Sequence, residues 1–173
     1  MSQISGVARL GGVNMIRAGD EAHLRAAIEI AARARANGNH PFGSLLTDPS
    51  GTKVLEAENT VVTGDDVTGH SETNLVRLSG RLHTDLSGYT LYASTEPCAM
   101  CAGAIYWAGI GRVVYALAET QLLELTRSHP GNPGLALSCE EVFDRGQRQI
   151  SVSGPHLYDE AAAVHAGFWT EQR

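Results

Sequence analysis

Residues 89–116 run YTLYASTEPCAMCAGAIYWAGIGRVVYA. Tyr89 to Ser94 is a short run of aromatic and small apolar residues and reads as a strand, and Arg112 to Ala116 (RVVYA) reads as another. Between them, Pro97 to Ala108 is apolar with a proline at its start, which reads as a helix. A strand, a crossover helix and a second strand imply parallel pairing, because a parallel neighbour can be reached only by such a crossover. The apolar stretch Cys98 to Gly111 holds three glycines and is shorter than the roughly 18 residues of a membrane span, so it is expected as a buried core helix.

Upstream, Leu24, Ile28 and Ala31 or Ala32 recur at helical spacing between Asp20 and Asn37, with Asp20 read as the N-cap and Gly38 as the stop. Residues 42–47 (FGSLLT) and 53–57 (KVLEA) flank Asp48-Pro49-Ser50-Gly51, turn chemistry that predicts an antiparallel hairpin. A polar loop, Thr60 to Gly69, leads to a helix from His70 to about Gly80. Downstream, helices are expected from about Thr120, over Glu140 to Arg145 and from Asp159, with a loop at His129 to Gly134 and a strand at Gln149 to Val152. The fold class that follows is α/β: a three-layer αβα sandwich around a mixed five-stranded sheet. Residues 1–173 are read as one domain, with 1–19 as an ordered lead-in and 155–173 as a helix and tail placed to close over a site.

With 13 basic and 19 acidic residues, the formal charge is −6. The basic side chains are Lys53 and twelve scattered arginines, without a polybasic run, which argues against a nucleic-acid partner. Three cysteines, two of them the close pair Cys98 and Cys101, argue against a disulfide scaffold and for a reducing, cytoplasmic location. The short stretch Gly11 to Ile16 is too irregular for a secretory signal.

Two clusters carry chemistry. His70-Ser71-Glu72 opens one helix and Cys98-Ala99-Met100-Cys101 opens another, and helix N-termini favour thiolates. A Cys-x-x-Cys alone is open to three readings: a redox pair, half of a structural zinc site, or two small buried residues. Taken with His70, the cysteines supply three ligands for Zn²⁺, leaving a position for water. Glu72 would then stand beside the ion, where a carboxylate can take and return a proton.

His-x-Glu followed by Pro-Cys-x-x-Cys is the zinc-deaminase signature, and residues 20–118 resemble the cytidine-deaminase-like superfamily. Glu58-Asn59, the stretch Asp66 to Glu72, and Cys101-Ala102-Gly103-Ala104-Ile105-Tyr106-Trp107-Ala108 look most like bacterial guanine deaminases and other free-base deaminases. Glu-Pro-Cys-x-Met-Cys and Gly111 to Val114 are shared with tRNA-specific adenosine deaminases. The resemblance implies that His70, Cys98 and Cys101 bind zinc, that Glu72 shuttles protons, that Asn59 hydrogen-bonds the substrate ring and that the Ser71 N–H meets a ring carbonyl. Most relatives carry Ala at the Ser71 position, and guanine deaminases carry a Phe-Asp-Asp stretch that is missing between Glu119 and Asn132, so the resemblance does not single out guanine.

Further substrate contacts are assigned to Phe42 as a cover, to Trp107 on the apolar helix, and to Trp169 in the tail, where it could stack on a flat ring. The expected activity is hydrolytic removal of ammonia from a free guanine-, cytosine- or amino-triazine-type ring by metal-activated water, a small-molecule reaction placed in purine metabolism. A homodimer is implied by the resemblance. The alternatives are a guanosine or other nucleoside deaminase, a tRNA-specific adenosine deaminase, which the acidic charge disfavours, and a non-catalytic zinc-stabilised module, which would need a fourth ligand.

Overall fold

The structure, a computed structural model, describes residues 16–126 and 129–170. Most of the expected lead-in, residues 1–15, and the last three residues lie outside the described part. Helix α1 (Asp20–Ala36) buries Leu24, Ala27, Ile28 and Ala31, one stripe at i, i+3, i+4 and i+7 spacing. That stripe lies on β1 (Gly43–Thr47), where Gly43 is obligatory: a Cβ there would stand 2.5 Å from Ala27 O and Ala31 N. Asp48 Oδ1 accepts the N–H groups of Ser50 (2.8 Å) and Thr52 (3.0 Å), closing the turn into β2 (Lys53–Glu58).

After α2 (Ser71–Ser79), strand β3 (Thr90–Thr95), helix α3 (Ala99–Ala108) and strand β4 (Arg112–Leu117) form the expected crossover. Then follow α4 (Glu119–Thr126), α5 (Cys139–Asp144), β5 (Ser151–Ser153) and α6 (Tyr158–Ala163). The sheet order is β2-β1-β3-β4-β5, antiparallel at β2/β1 and β1/β3 and parallel at β3/β4 and β4/β5. This is the mixed five-stranded sheet anticipated from the sequence.

Because successive strand residues face opposite ways, the sheet feeds two cores. Leu46, Leu91 and Val113 pack with Leu75, Ile105 and Phe143 of α2, α3 and α5, whereas Leu45, Tyr92 and Val114 pack with Leu24, Leu122 and Ala161 of α1, α4 and α6. Three layers result. Among the described residues no helix is long and apolar enough to cross a membrane.

One expectation is corrected. Asp20 does not cap α1; Gly19, at φ 91°, holds that position without a side-chain bond. The Asp20 carboxylate turns inward to Arg112 on β4, with Nη1–Oδ1 2.9 Å and Nη2–Oδ2 2.7 Å, and also accepts from Tyr92 Oη at 2.7 Å and Arg17 N at 2.6 Å. A buried guanidinium needs a counter-charge more than a helix start needs a cap, so the ion pair prevails. Burial raises the Asp20 pKa, but the bonds from Arg112, Arg17 and Tyr92 outweigh it and hold the carboxyl at about 2.

Candidate metal centre and active-site pocket

Two helix N-termini meet beyond the C-terminal ends of the parallel strands. His70 and Cys98 stand at the N-cap positions of α2 and α3, both in extended backbone, so that each side chain projects forward of its helix. Cys101, in the first turn of α3, joins them. His70 Nδ1 lies 3.7 Å from Cys98 Sγ and 3.6 Å from Cys101 Sγ, and the two sulfurs are 3.6 Å apart. The three ligand atoms all fall within 4.8 Å of one another.

The electrostatics are those of a site that shares a proton. The contact with Cys101, against the cost of burial and with help from His70, holds the Cys98 pKa at about 4. Cys101 is pushed well above the ordinary thiol range by Cys98 and by burial, and His70 is raised chiefly by Cys98. One nitrogen and two sulfurs form a donor set that suits Zn²⁺, and three protein ligands leave a tetrahedral position open. Glu72 is no ligand but a neighbour. Its Oε2 accepts from Ser71 Oγ at 3.0 Å and from Cys101 Sγ at 3.6 Å, and burial, followed by the Cys98 charge, raises its pKa.

Above this cluster opens a pocket of about 420 Å³, lined by His40, Phe42, Asn59, Glu72, Thr95, Glu119 and Asn132 among others, with Val67, Met100 and Leu135 exposed at the rim. The volume lies in the range usual for small-molecule sites. Asn59 follows β2; its N–H donates to Phe42 O at 3.0 Å and its Oδ1 accepts from Val61 N at 3.0 Å, leaving Nδ2 without a protein partner among the described residues. Glu96 secures the wall: Oε2 accepts from Glu119 N and Oε1 from Cys139 N, each at 3.1 Å. Glu119 itself is raised to about 7 by burial and then by the charges of Cys98, Glu96 and Glu72.

Of the residues singled out in the sequence, His70, Glu72, Cys98, Asn59 and Phe42 line this pocket. Cys101 and Ser71 are fully buried at its base. Two placements are corrected. Trp107 is 79% exposed on α3, in a separate depression with Tyr106, Arg145 and Arg148; the crossover helix turns Cys101 and Ile105 inward and so carries Trp107 outward. Trp169 is buried but stands behind the pocket wall, its ring 5.4 Å from His40 and 6.2 Å from Phe42, with Nε1 donating to His165 Nδ1 at 3.1 Å. Trp169 therefore braces the wall and does not reach into the pocket. Glu119, Thr95 and Asn132 were not anticipated; the available signal was that ligands in α/β folds gather at the carboxyl ends of strands, where Thr95 ends β3 and Glu119 follows β4.

Three side chains that can hold a metal ion, with a carboxylate beside them at paired helix N-termini, fit the class of zinc-dependent hydrolytic deaminases. Residues 17–117 match the zinc-binding region of cytidine and deoxycytidylate deaminases, and the chain belongs to that family. It is 42% identical over 150 residues to a probable cytosine deaminase of Schizosaccharomyces pombe, covering 87% of this chain and 92% of that protein. A tRNA-specific adenosine deaminase of Bacillus subtilis is 34% identical, with 89% and 91% covered. The solved guanine deaminase of Nitrosomonas europaea superposes with a TM-score of 0.73 at 25% identity, covering 91% of this chain and 88% of that one. The chain is an aminohydrolase of the nucleobase and nucleoside class.

Proposed function

We propose that this protein deaminates a free amino-substituted ring of the cytosine or guanine type, and that His70, Cys98 and Cys101 hold the zinc. The observation that carries the reading is the position of Glu72, which lines a small-molecule pocket and lies 3.6 Å from the sulfur of Cys101, one of the three candidate ligands. Zinc bound there supplies Lewis acidity that makes water nucleophilic at neutral pH. The remaining steps belong to the chain. Glu72, whose pKa is raised by burial, takes one proton from that water and gives it to a ring nitrogen as the oxygen bonds to the ring carbon; it then takes the second proton from that oxygen and gives it to the amine, which leaves as ammonia as the carbon–nitrogen bond breaks. Asn59 Nδ2 donates to the ring, Phe42 covers one face, and the Ser71 N–H at the start of α2 meets a ring carbonyl.

The free-base reading rests on the likeness to cytosine and guanine deaminases and on the charge of −6 with one lysine, which is a poor surface for a tRNA. Ammonia release from cytosine, guanine and an amino-triazine, compared with cytidine, guanosine and a tRNA anticodon stem, tests it: turnover of the free rings supports it, and turnover of the RNA alone refutes it. A homodimer, a cytoplasmic location and a place in purine metabolism belong to the same proposal. Exposed Trp107 is available for the dimer seam, and sedimentation of Trp107→Ala beside the parent protein checks it.

A further inference from the structure

The pocket carries polar atoms that neither the metal cluster nor Glu72 uses. Glu119 begins α4 immediately beyond β4 and lines the pocket half-buried; its backbone N–H is taken by Glu96, but its carboxylate has no hydrogen-bond or ion-pair partner among the described residues. In the same pocket, Thr95 Oγ1 and Asn132 Nδ2 are buried without a partner, and Thr95 is only 3% exposed. Few buried polar groups in native proteins stay unpaired, and each carries a desolvation cost when they do. Here an acceptor, a donor and a hydroxyl remain unpaired around one cavity, which is the complement of a polar ring edge.

We propose that Glu119 is a specificity-determining residue: its carboxylate accepts a hydrogen bond from a second N–H of the ring, one other than the departing amine, while the Asn132 amide donates to an adjacent ring oxygen or nitrogen. This rests on the deaminase reading for the identity of the departing amine. The substrate class is thereby narrowed to amino-oxo heterocycles whose remaining edge presents a donor beside an acceptor. Rings in which that N–H is replaced by an alkyl or sugar substituent are disfavoured, because the carboxylate would then stay desolvated and unpaired.

The test uses the zinc-loaded protein and Glu119→Gln, which keeps the shape and removes the charge. Calorimetric affinities and kcat and KM are measured for cytosine and guanine and for each analogue with one ring N–H methylated. At one methyl position the parent protein is expected to lose about 10- to 100-fold in affinity, and Glu119→Gln to lose as much on the unmethylated base while being indifferent to that methyl group. The loss falls in KM with kcat little changed, and the melting temperature is the same as for the parent. Asn132→Ala should weaken the same ligands without restoring tolerance of the methyl group. The assignment is overturned if Glu119→Gln binds the bases as the parent does, if it weakens every analogue equally, or if no methyl position couples to it. Binding that follows the expected pattern without ammonia release would refute the deaminase reading alone, whereas ammonia release indifferent to Glu119→Gln would refute this inference alone.

Discussion

Glu72 Oε2 lies 3.6 Å from Cys101 Sγ, a contact that joins the first turn of α2 to the first turn of α3. The proposed proton carrier and a proposed metal ligand are therefore fixed to each other by two helices packed on one sheet, each in the first turn of its helix. Replacing Glu72 with Gln should leave the zinc content at one per chain and reduce ammonia release by about 100- to 10,000-fold, the usual scale of acid–base catalysis. Metal analysis alongside a steady-state assay checks both halves.

Zinc loading should release protons. Cys101 is held protonated near neutral pH by its neighbour Cys98 and by burial, and a metal ion must displace that proton. Titrating zinc into chelator-stripped protein in a weakly buffered indicator solution should release at least one proton per ion at pH 7. Cys101→Ser should bind zinc far more weakly, because a serine hydroxyl does not ionise to make an anionic ligand in this range.

The Asp20–Arg112 pair joins the start of α1 to the start of β4, with both side chains buried. Asp20 has a pKa of about 2 in the folded chain against 3.8 for its ordinary value. A depressed carboxyl pKa stabilises the fold above the unfolded pKa, and that contribution is lost as pH falls from about 3.8 through about 2. The loss amounts to about 2 kcal/mol and is readable in urea melts across that window. Asp20→Asn, which leaves Arg112 buried without its counter-charge, should cost about 3–5 kcal/mol at pH 7.

A second acid-sensitive group lies behind the pocket. His165 is pushed down to about 4, mainly by burial, and its Nδ1 accepts from Trp169. A histidine buried in its neutral form stabilises the fold above its ordinary pKa of 6.5, and the stability declines as pH falls from there towards 4. Trp169 fluorescence should report loosening of the tail in this range, above the window in which Asp20 titrates. His165→Phe should flatten that transition.

The crossover unit over residues 89–116 was legible because a strand-like run, a proline-led apolar helix and a second strand each follow from local composition. His70, Glu72, Cys98 and Cys101 were legible because metal chemistry demands particular residue types at particular spacings. Asp20 was misjudged because its partner, Arg112, is 92 residues away, and local rules for helix caps do not register a distant guanidinium. Trp107 was misplaced because α3 is apolar nearly all round, so its sequence does not show which face is turned outward. Glu119 and Asn132 lie in segments without any motif; only the folding of α4 and of the loop after it brings them to the pocket.

The central claim is tested most directly by ammonia release from the zinc-loaded protein given cytosine and guanine, with Glu72→Gln as the blank and cytidine, guanosine and a tRNA anticodon stem in parallel. The account predicts release from at least one free base, and release about 100-fold or more lower from the Glu72→Gln protein. Release from the RNA alone, or equal release by Glu72→Gln, would contradict it.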